Sequence, residues 1–248
     1  MAETEGWWVV TGANSGIGYE VAKKLDRLNK KIILIDKDLS NLASFKQQIV
    51  FQADLSNFGE IAELAKKVIQ YKMRCLINNA GVGYRGSLKE ISVEKIKETV
   101  DVNICYPAFF TKLLLDSLIA NKTIIVNVAS NTAYNPLPYM SIYAASKAFL
   151  SSWSEALAYE LRDTNRVITF SPSGTHTNFQ KRAGVKVNDE GRGLLSPEYV
   201  ADRIIQAVYS KKNTIILGFK TNILLVISRF LPRRINIYLW GKLFDNYR

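Results

Sequence analysis

The stretch Trp7-Trp8-Val9-Val10-Thr11-Gly12-Ala13-Asn14-Ser15-Gly16-Ile17-Gly18 sets the reading of the whole chain. Trp7 to Thr11 is a short apolar run, and after the glycines Val21, Ala22, Leu25 and Leu28 recur at helical spacing. The order is strand, glycine turn, helix. Glycines at such a turn let the backbone approach a pyrophosphate closely, and the helix offers it unpaired N–H groups and the positive end of its dipole. A second strand, Lys31 to Ile35, ends at Asp36, 24 residues after Gly12. An acidic side chain there accepts hydrogen bonds from both ribose hydroxyls of an adenosine and repels a 2′-phosphate, so Asp36 argues for NAD over NADP. Lys37 beside it argues the other way. A second reading has Asp36 cap a short helix that begins near Leu39.

Outward from this unit the alternation continues. After that short helix, Ile49 to Phe51 is a third strand running into Ala53-Asp54-Leu55, and Ile61, Leu64, Ala65, Val68 and Ile69 mark a helix. Cys75 to Ile77 leads into Asn78-Asn79-Ala80-Gly81, whose small and amide side chains suit close packing beside a cofactor. The helical stretch Ser92 to Ile119 carries Asn103 and, four residues on, Pro107. Proline has no N–H, so the Asn103 carbonyl loses its normal partner, the helix kinks, and the freed carbonyl can hold a water. Thr123 to Ala129 is a fifth strand that delivers Ser130 at its end, where ligands of open α/β sheets bind. Val167 to Ser171 and Thr214 to Leu217 are further strands, with a helix from Pro197 to Ser210 between them. The pattern predicts an α/β fold: a single-domain, Rossmann-type, doubly wound parallel sheet of about seven strands.

In the helix from about Ser141 to Arg162, Tyr143 and Lys147 are four apart and lie on one face. A free phenol has a pKa of about 10, and a neighbouring ammonium favours the phenolate, bringing the group toward use as an acid/base. With Ser130 placed beside it, the trio could move a proton to or from a substrate oxygen. The same helix has a large apolar set, Ile142, Phe149, Leu150, Trp153, Leu157 and Leu161, expected to cover the sheet. A small set, Ala144, Ala148, Ser151 and Ser152, is expected to admit another helix. The polar loop from Pro172 to Ser196 reads as a mobile lid, and His176 within it as a surface residue rather than a catalyst. Tyr84, Tyr134, Tyr139 and Phe179 fall in segments bordering the site, which favours an apolar ring or chain as substrate over a small charged acid.

Composition bounds the rest. The chain has 248 residues, 48% of them hydrophobic, enough for a full core. Two cysteines, Cys75 and Cys105, are too few for a disulfide framework and suggest a reducing compartment, hence a cytoplasmic location. The acidic start, Ala2-Glu3-Thr4-Glu5, does not read as a signal peptide, and no apolar run near the carboxyl end is long enough to span a membrane. The net charge of +11 is concentrated at that end, where residues 211–248 hold eight basic residues against Asp245 alone. Residues 1–218 read as the domain and 219–248 as a basic, apolar extension. That extension either lies peripherally on anionic membrane, through Ile223 to Ile227, Tyr238 to Trp240, Arg229, Arg233 and Arg234, or packs on the fold with its arginines solvated. Metal-ligand spacing, a Ser/His/Asp arrangement and a nucleic-acid-binding module are all missing from the sequence.

Taken together, Thr11-Gly12-x-x-x-Gly16-x-Gly18, Asn78-Asn79-Ala80-Gly81, Asn103, Ser130 and Tyr143-x-x-x-Lys147 resemble the short-chain dehydrogenase/reductase family over roughly residues 7–217. The resemblance implies an NAD(P)-dependent alcohol dehydrogenase or ketone reductase. Tyr143 would be the general acid/base, Ser130 would hold the substrate oxygen, and Lys147 would bind the nicotinamide ribose and lower the tyrosine pKa. Asn103 would hold a relay water. It also implies cofactor contacts from Gly12, Asn14, Ser15, Gly16, Ile17, Gly18, Asp36, Asp54, Leu55, Asn79, Ala80, Gly81, Tyr143, Lys147, Pro172 and Thr177, and no metal. Where the family has Pro-Gly after the sixth strand, this chain has Pro172-Ser173. A homodimer, or a tetramer, is implied through helices around 99–118 and 141–162. The competing class is a non-catalytic NAD-binding sensor or scaffold, against which the retained Tyr143 and Lys147 argue.

Overall fold

Short apolar strands that are hydrophobic on both sides must be covered on both sides, and that requirement explains the architecture. The computed structural model describes residues 5–177 and 194–218, and in the carboxyl-terminal segment 223, 227, 228 and 230–245. Its strands are β1 (Trp7–Thr11), β2 (Ile32–Asp36), β3 (Gln48–Gln52), β4 (Met73–Asn78), β5 (Ile124–Val128), β6 (Arg166–Ser171) and β7 (Thr214–Ile216). They form one seven-stranded sheet in the order β3-β2-β1-β4-β5-β6-β7, every pair parallel. Strand order reverses between β1 and β4, and the crevice for a ligand opens at their carboxyl ends.

Burial follows the two-residue period of a strand. Val10, Ile32 and Leu34 pack on one side against Val21, Ala22 and Leu25 of α1 (Gly16–Arg27). Val9, Ile33 and Ile35 face the other side, against Ile61 and Leu64 of α2 (Phe58–Val68). The long helical run on that second side has two α-helical parts, α3 (Val93–Val100) and α4 (Tyr106–Ala120). They are joined by a π-helical turn, Asp101–Cys105. The missing Pro107 N–H is absorbed by one wider turn, in which Tyr106 N–H reaches Asp101 O. The run 93–120 is long and apolar enough to cross a membrane, but its stripe of Tyr106, Phe110, Leu114 and Leu118 is fully buried in the core. It is a core helix.

Two expectations change, and the extension, read only as basic and apolar, shows helix. Among residues 37–47 there is no helix near Leu39. Side chains take the backbone partners a helix would use: Asp38 Oδ1 accepts Ser40 N–H at 3.0 Å and Asn14 Oδ1 accepts Asn41 N–H at 2.8 Å. In α5 (Ser141–Glu160) the faces differ from expectation. Ala144, Ser146, Ser151 and Ser154 are buried while Phe149 is 37% exposed and stacks on Trp153. The small residues admit the sheet and its polar partners, leaving Phe149 exposed and Trp153 half-buried, while Leu150, Leu157 and Leu161 of the large set pack inward as expected. Last, the extension contains a further helix. After α6 (Pro197–Tyr209) comes α7 (Arg233–Asp245), where Asn236 alone is buried among the described side chains. Phe179, Arg229 and most of Ile223 to Ile227 lie outside the described residues, as does most of the expected lid.

Candidate active site

At the end of β1 the chain turns through Gly12 at φ +63° and Gly16 at φ +56°, the left-handed region where a side chain is strained. A Cβ on Gly18 would stand 2.1 Å from Gly12 O, and one on Gly16 would stand 3.2 Å from Thr177 Cγ2. The turn is thus open on one side to the segment after β6. Ser15 caps α1 without a side-chain hydrogen bond, and no acidic residue stands in the first turn. The amides of α1 are left for an anion. Asp36 is fixed at the end of β2: its Oδ2 accepts Asn14 N–H at 2.9 Å and its Oδ1 accepts Asp38 N–H at 3.2 Å. Lys37 turns aside to Glu98 at 3.5 Å. The Asn14 side chain is spent on Ser40 and Asn41 and its backbone on Asp36 and Asn41, so this residue braces the turn. Asp54 accepts from Ser56 backbone and hydroxyl, which holds its carboxyl below the usual range, and Leu55 beside it is buried. Glycines, uncapped amides and two oriented carboxylates suit a dinucleotide.

The end of β4 is tied to this turn. Thr11 Oγ1 accepts both Asn79 N–H and Ala80 N–H at 3.1 Å, and Asn79 Nδ2 donates to Thr11 O at 2.9 Å. Asn78 points inward instead, donating to Asn127 Oδ1 at 2.8 Å while accepting from Tyr106. The sequence motifs include Thr11 and Asn78 but give neither these contacts nor Asn127. The signal available was Asn78 and Asn127 in equivalent places on neighbouring strands.

Gly81 makes the next contact possible. A Cβ there would lie 3.2 Å from Lys147 Nζ and 3.3 Å from Asn103 Oδ1. Asn103 is 1% exposed. Its side chain bonds Val82 twice, accepting from N–H at 2.9 Å and donating to O at 2.7 Å, and donates to Ser146 Oγ at 2.9 Å. Ser146 in turn donates to the Tyr143 carbonyl at 2.7 Å. The Asn103 side chain therefore clamps the post-β4 loop to the first turn of α5. Its carbonyl has no Pro107 N–H to receive.

Lys147, 4% exposed, donates to Val128 O at 2.9 Å, with Nζ 6.0 Å from the Tyr143 ring centre. Burial lowers its pKa from 10.5 to about 8, so it still holds a proton at neutral pH. Tyr143 is half-buried, and burial of its phenol pushes it from 10.0 up to about 12, with the hydrogen bond to Ser130 pulling the other way. The expected net lowering is not seen, because desolvation outweighs the Ser130 hydrogen bond. Ser130, 7% exposed, also receives Thr132 N–H at 3.2 Å. Ser130, Tyr143, Lys147 and Asn103 thus gather at the carboxyl ends of β4 and β5, beside the glycine turn.

Pro172 is buried and accepts Asn131 N–H at 3.0 Å. Tyr134 and Tyr84 are less available than expected: Tyr134 OH lies 3.3 Å from Ser171 Oγ, and Tyr84 OH donates to Glu98. Tyr139 sits at φ +62°, its carbonyl accepting Gly86 N–H at 2.9 Å. His176 is exposed.

A Rossmann sheet with a glycine turn, and a tyrosine, lysine and serine at its ligand-binding edge, define a dinucleotide-dependent oxidoreductase. A family model described as short chain dehydrogenase matches residues 7–188, and the chain belongs to that family. It is 30% identical to the rat (Rattus norvegicus) protein named dehydrogenase/reductase SDR family member 7B over 252 aligned residues, 91% of this chain and 77% of that one. Among solved structures, a short-chain dehydrogenase/reductase from Burkholderia phymatum in complex with NAD superposes with a TM-score of 0.82 at 25% identity, covering 92% of this chain and 95% of the other. A short-chain dehydrogenase from Sphingobium yanoikuyae in complex with NADPH gives 0.81 at 24%, over 90% and 92%. The family is NAD(P)-dependent, and these neighbours hold one cofactor or the other.

Proposed function

We propose that this chain transfers a hydride between NAD and an apolar secondary alcohol or ketone, with Tyr143 as general acid/base. The observation that carries this reading is the Tyr143 phenol, hydrogen-bonded by Ser130 and standing over against the buried Lys147 ammonium. Bound nicotinamide supplies or accepts the hydride. The protein's part is to place the substrate oxygen between Ser130 and Tyr143 and to give it, or take from it, one proton. With its pKa near 12 the phenol is the resting form. In reduction it gives its proton to the substrate oxygen, and in oxidation it takes one once ionised.

NAD over NADP rests on the Asp36 carboxylate and on Lys37 being drawn to Glu98. The retained Tyr143 and Lys147, with Ser130 beside the phenol, argue against a non-catalytic sensor. Exposed Phe109, Leu113 and Phe149 support a homodimer, or a tetramer, through α4 and α5. We also infer a cytoplasmic enzyme with peripheral membrane contact. In α7, Ile235, Tyr238 and Leu239 form an exposed stripe flanked by exposed Arg234 and Lys242.

The test is a panel of acetophenone, 2-decanone and their alcohols with NAD(H) and NADP(H), read by nicotinamide absorbance. Turnover faster with NAD(H) supports the reading; NADP(H) preference refutes the cofactor assignment. Absence of turnover despite NADH binding would favour the sensor. Sedimentation with anionic vesicles, lost at high salt, tests the membrane contact.

A further inference from the structure

The chain between Ser130 and Tyr143 has little regular structure beyond one 3₁₀ turn, Asn131–Tyr134, yet it sets where the two reacting hydroxyls stand. It is held from several directions. Asn131 N–H reaches Pro172 O at 3.0 Å, and Tyr139 O receives Gly86 N–H at 2.9 Å. Tyr134 OH lies 3.3 Å from Ser171 Oγ and 3.4 Å from Ser151 Oγ. The remaining hold comes from the extension. Asn236 Nδ2 of α7 donates to Asn135 Oδ1 at 2.8 Å, across 101 residues of sequence, with both side chains buried. One helical turn further on, a Cβ added at Gly241 would be 3.6 Å from Pro138 Cγ, in ordinary contact.

We propose that Asn236 is a positioning residue for the active site, holding the 131–140 segment through Asn135 and so keeping Ser130 in register with Tyr143. The inference rests on the acid/base reading of those two residues. A buried amide oxygen that loses its donor is left unsatisfied, and the local structure must open to rehydrate it. Asn135 is the sensitive member of the pair, because its Nδ2 already has no hydrogen-bond partner. That spare donor also makes a specific rescue possible. If position 236 carries a carboxylate, the Asn135 amide can turn over and donate to it, whereas an apolar side chain offers nothing.

The experiment compares Asn236→Leu, Asn236→Asp and Tyr143→Phe in the full chain. Hydrogen exchange of the 131–140 amides is read without cofactor, and turnover with the best ketone of the panel. In Asn236→Leu, exchange over 131–140 is expected to speed up about tenfold while the β1–β5 amides keep their protection, because a local opening has become easier. With the same variant kcat should fall about tenfold and the Kd for NADH, by fluorescence, stay within about twofold. Asn236→Asp should recover most of both losses. Parental kcat and parental exchange over 131–140 in Asn236→Leu would overturn the proposal, as would failure of Asn236→Asp to recover either. Parental turnover in Tyr143→Phe would overturn the acid/base reading and this inference with it. Loss in Tyr143→Phe alone overturns only the role of Asn236.

Discussion

The two sides of the crevice are built by different means. On the nucleotide side, from β1 to β4, shape comes from backbone: Gly12 and Gly16 in the left-handed region, Gly18 pressed on Gly12 O, and Thr11 holding two amides. On the catalytic side, shape comes from side chains far apart in sequence: Asn103 with Ser146, Lys147 with Val128, Asn236 with Asn135. The first kind fails by steric clash and the second by lost hydrogen bonds. The difference teaches that one side should tolerate almost no added atom, while the other should tolerate changes that keep a donor or acceptor in place.

The sharpest break on the catalytic side is Tyr143→Phe, which keeps the ring and removes the proton. Turnover is expected to fall about 10³-fold, within the usual range for general acid/base groups, with NADH fluorescence binding intact. Activity within a few-fold of the parent would remove the assigned role. On the nucleotide side, Gly18→Ala should cost ~2–3 kcal/mol, as overpacking does, because the clash is with backbone 2.1 Å away. Urea unfolding and NADH titration read this, and parental values for both would show the turn to be softer than its geometry.

A smaller change is expected from Asp36→Ala, which on the proposed reading removes a ribose acceptor and a charge that repels a 2′-phosphate. The ratio of catalytic efficiencies should move toward NADP by about tenfold, the scale of one charge-assisted hydrogen bond. Titration of NAD and NADP affinity checks it independently of turnover.

The smallest effect separates the two sides by pH. The folded-state pKa of Lys147 is depressed from 10.5 to about 8. Between those values the unfolded chain keeps a proton that the folded chain has lost, so stability rises with pH. Tyr143 and Cys75, both raised to about 12 from 10.0 and 9.0, act in reverse at higher pH. Between about pH 8 and 9 the parent should therefore gain ~0.5–1 kcal/mol relative to Lys147→Met. Urea midpoints at the two pH values measure it, and a flat difference would mean that the ammonium is better solvated than its burial implies.

These two modes of construction also explain what could be read in advance. Strands, glycine turn, Asp36 and the Tyr143–Lys147 pair are local patterns, with periods of two and 3.6 residues or fixed short spacings, and each lies where the sequence places it. The helix near Leu39 was misread because Asp38, Ser40 and Asn14 compete for the backbone, and Asn14 is remote in sequence. The outward turn of Phe149 goes with Asn103, Asn127 and Tyr134 claiming the serines of α5. No window of sequence around residue 149 contains those partners. The Asn135–Asn236 bond is the extreme case.

The wider turn at Asp101–Cys105 has a consequence for insertions and deletions. Relative to a regular α-helix it accommodates one extra residue, and one residue is about 100° of rotation. Upstream of it, Glu98 meets Lys37 and Tyr84; downstream, Tyr106 and Phe110 face the sheet. Deleting a single residue here would restore an even helical pitch yet leave these two sets of side chains out of phase by that angle. The irregular turn is thus a phase-setting spacer, and a shorter, more regular helix could keep the Glu98 contacts or the core packing, but not both.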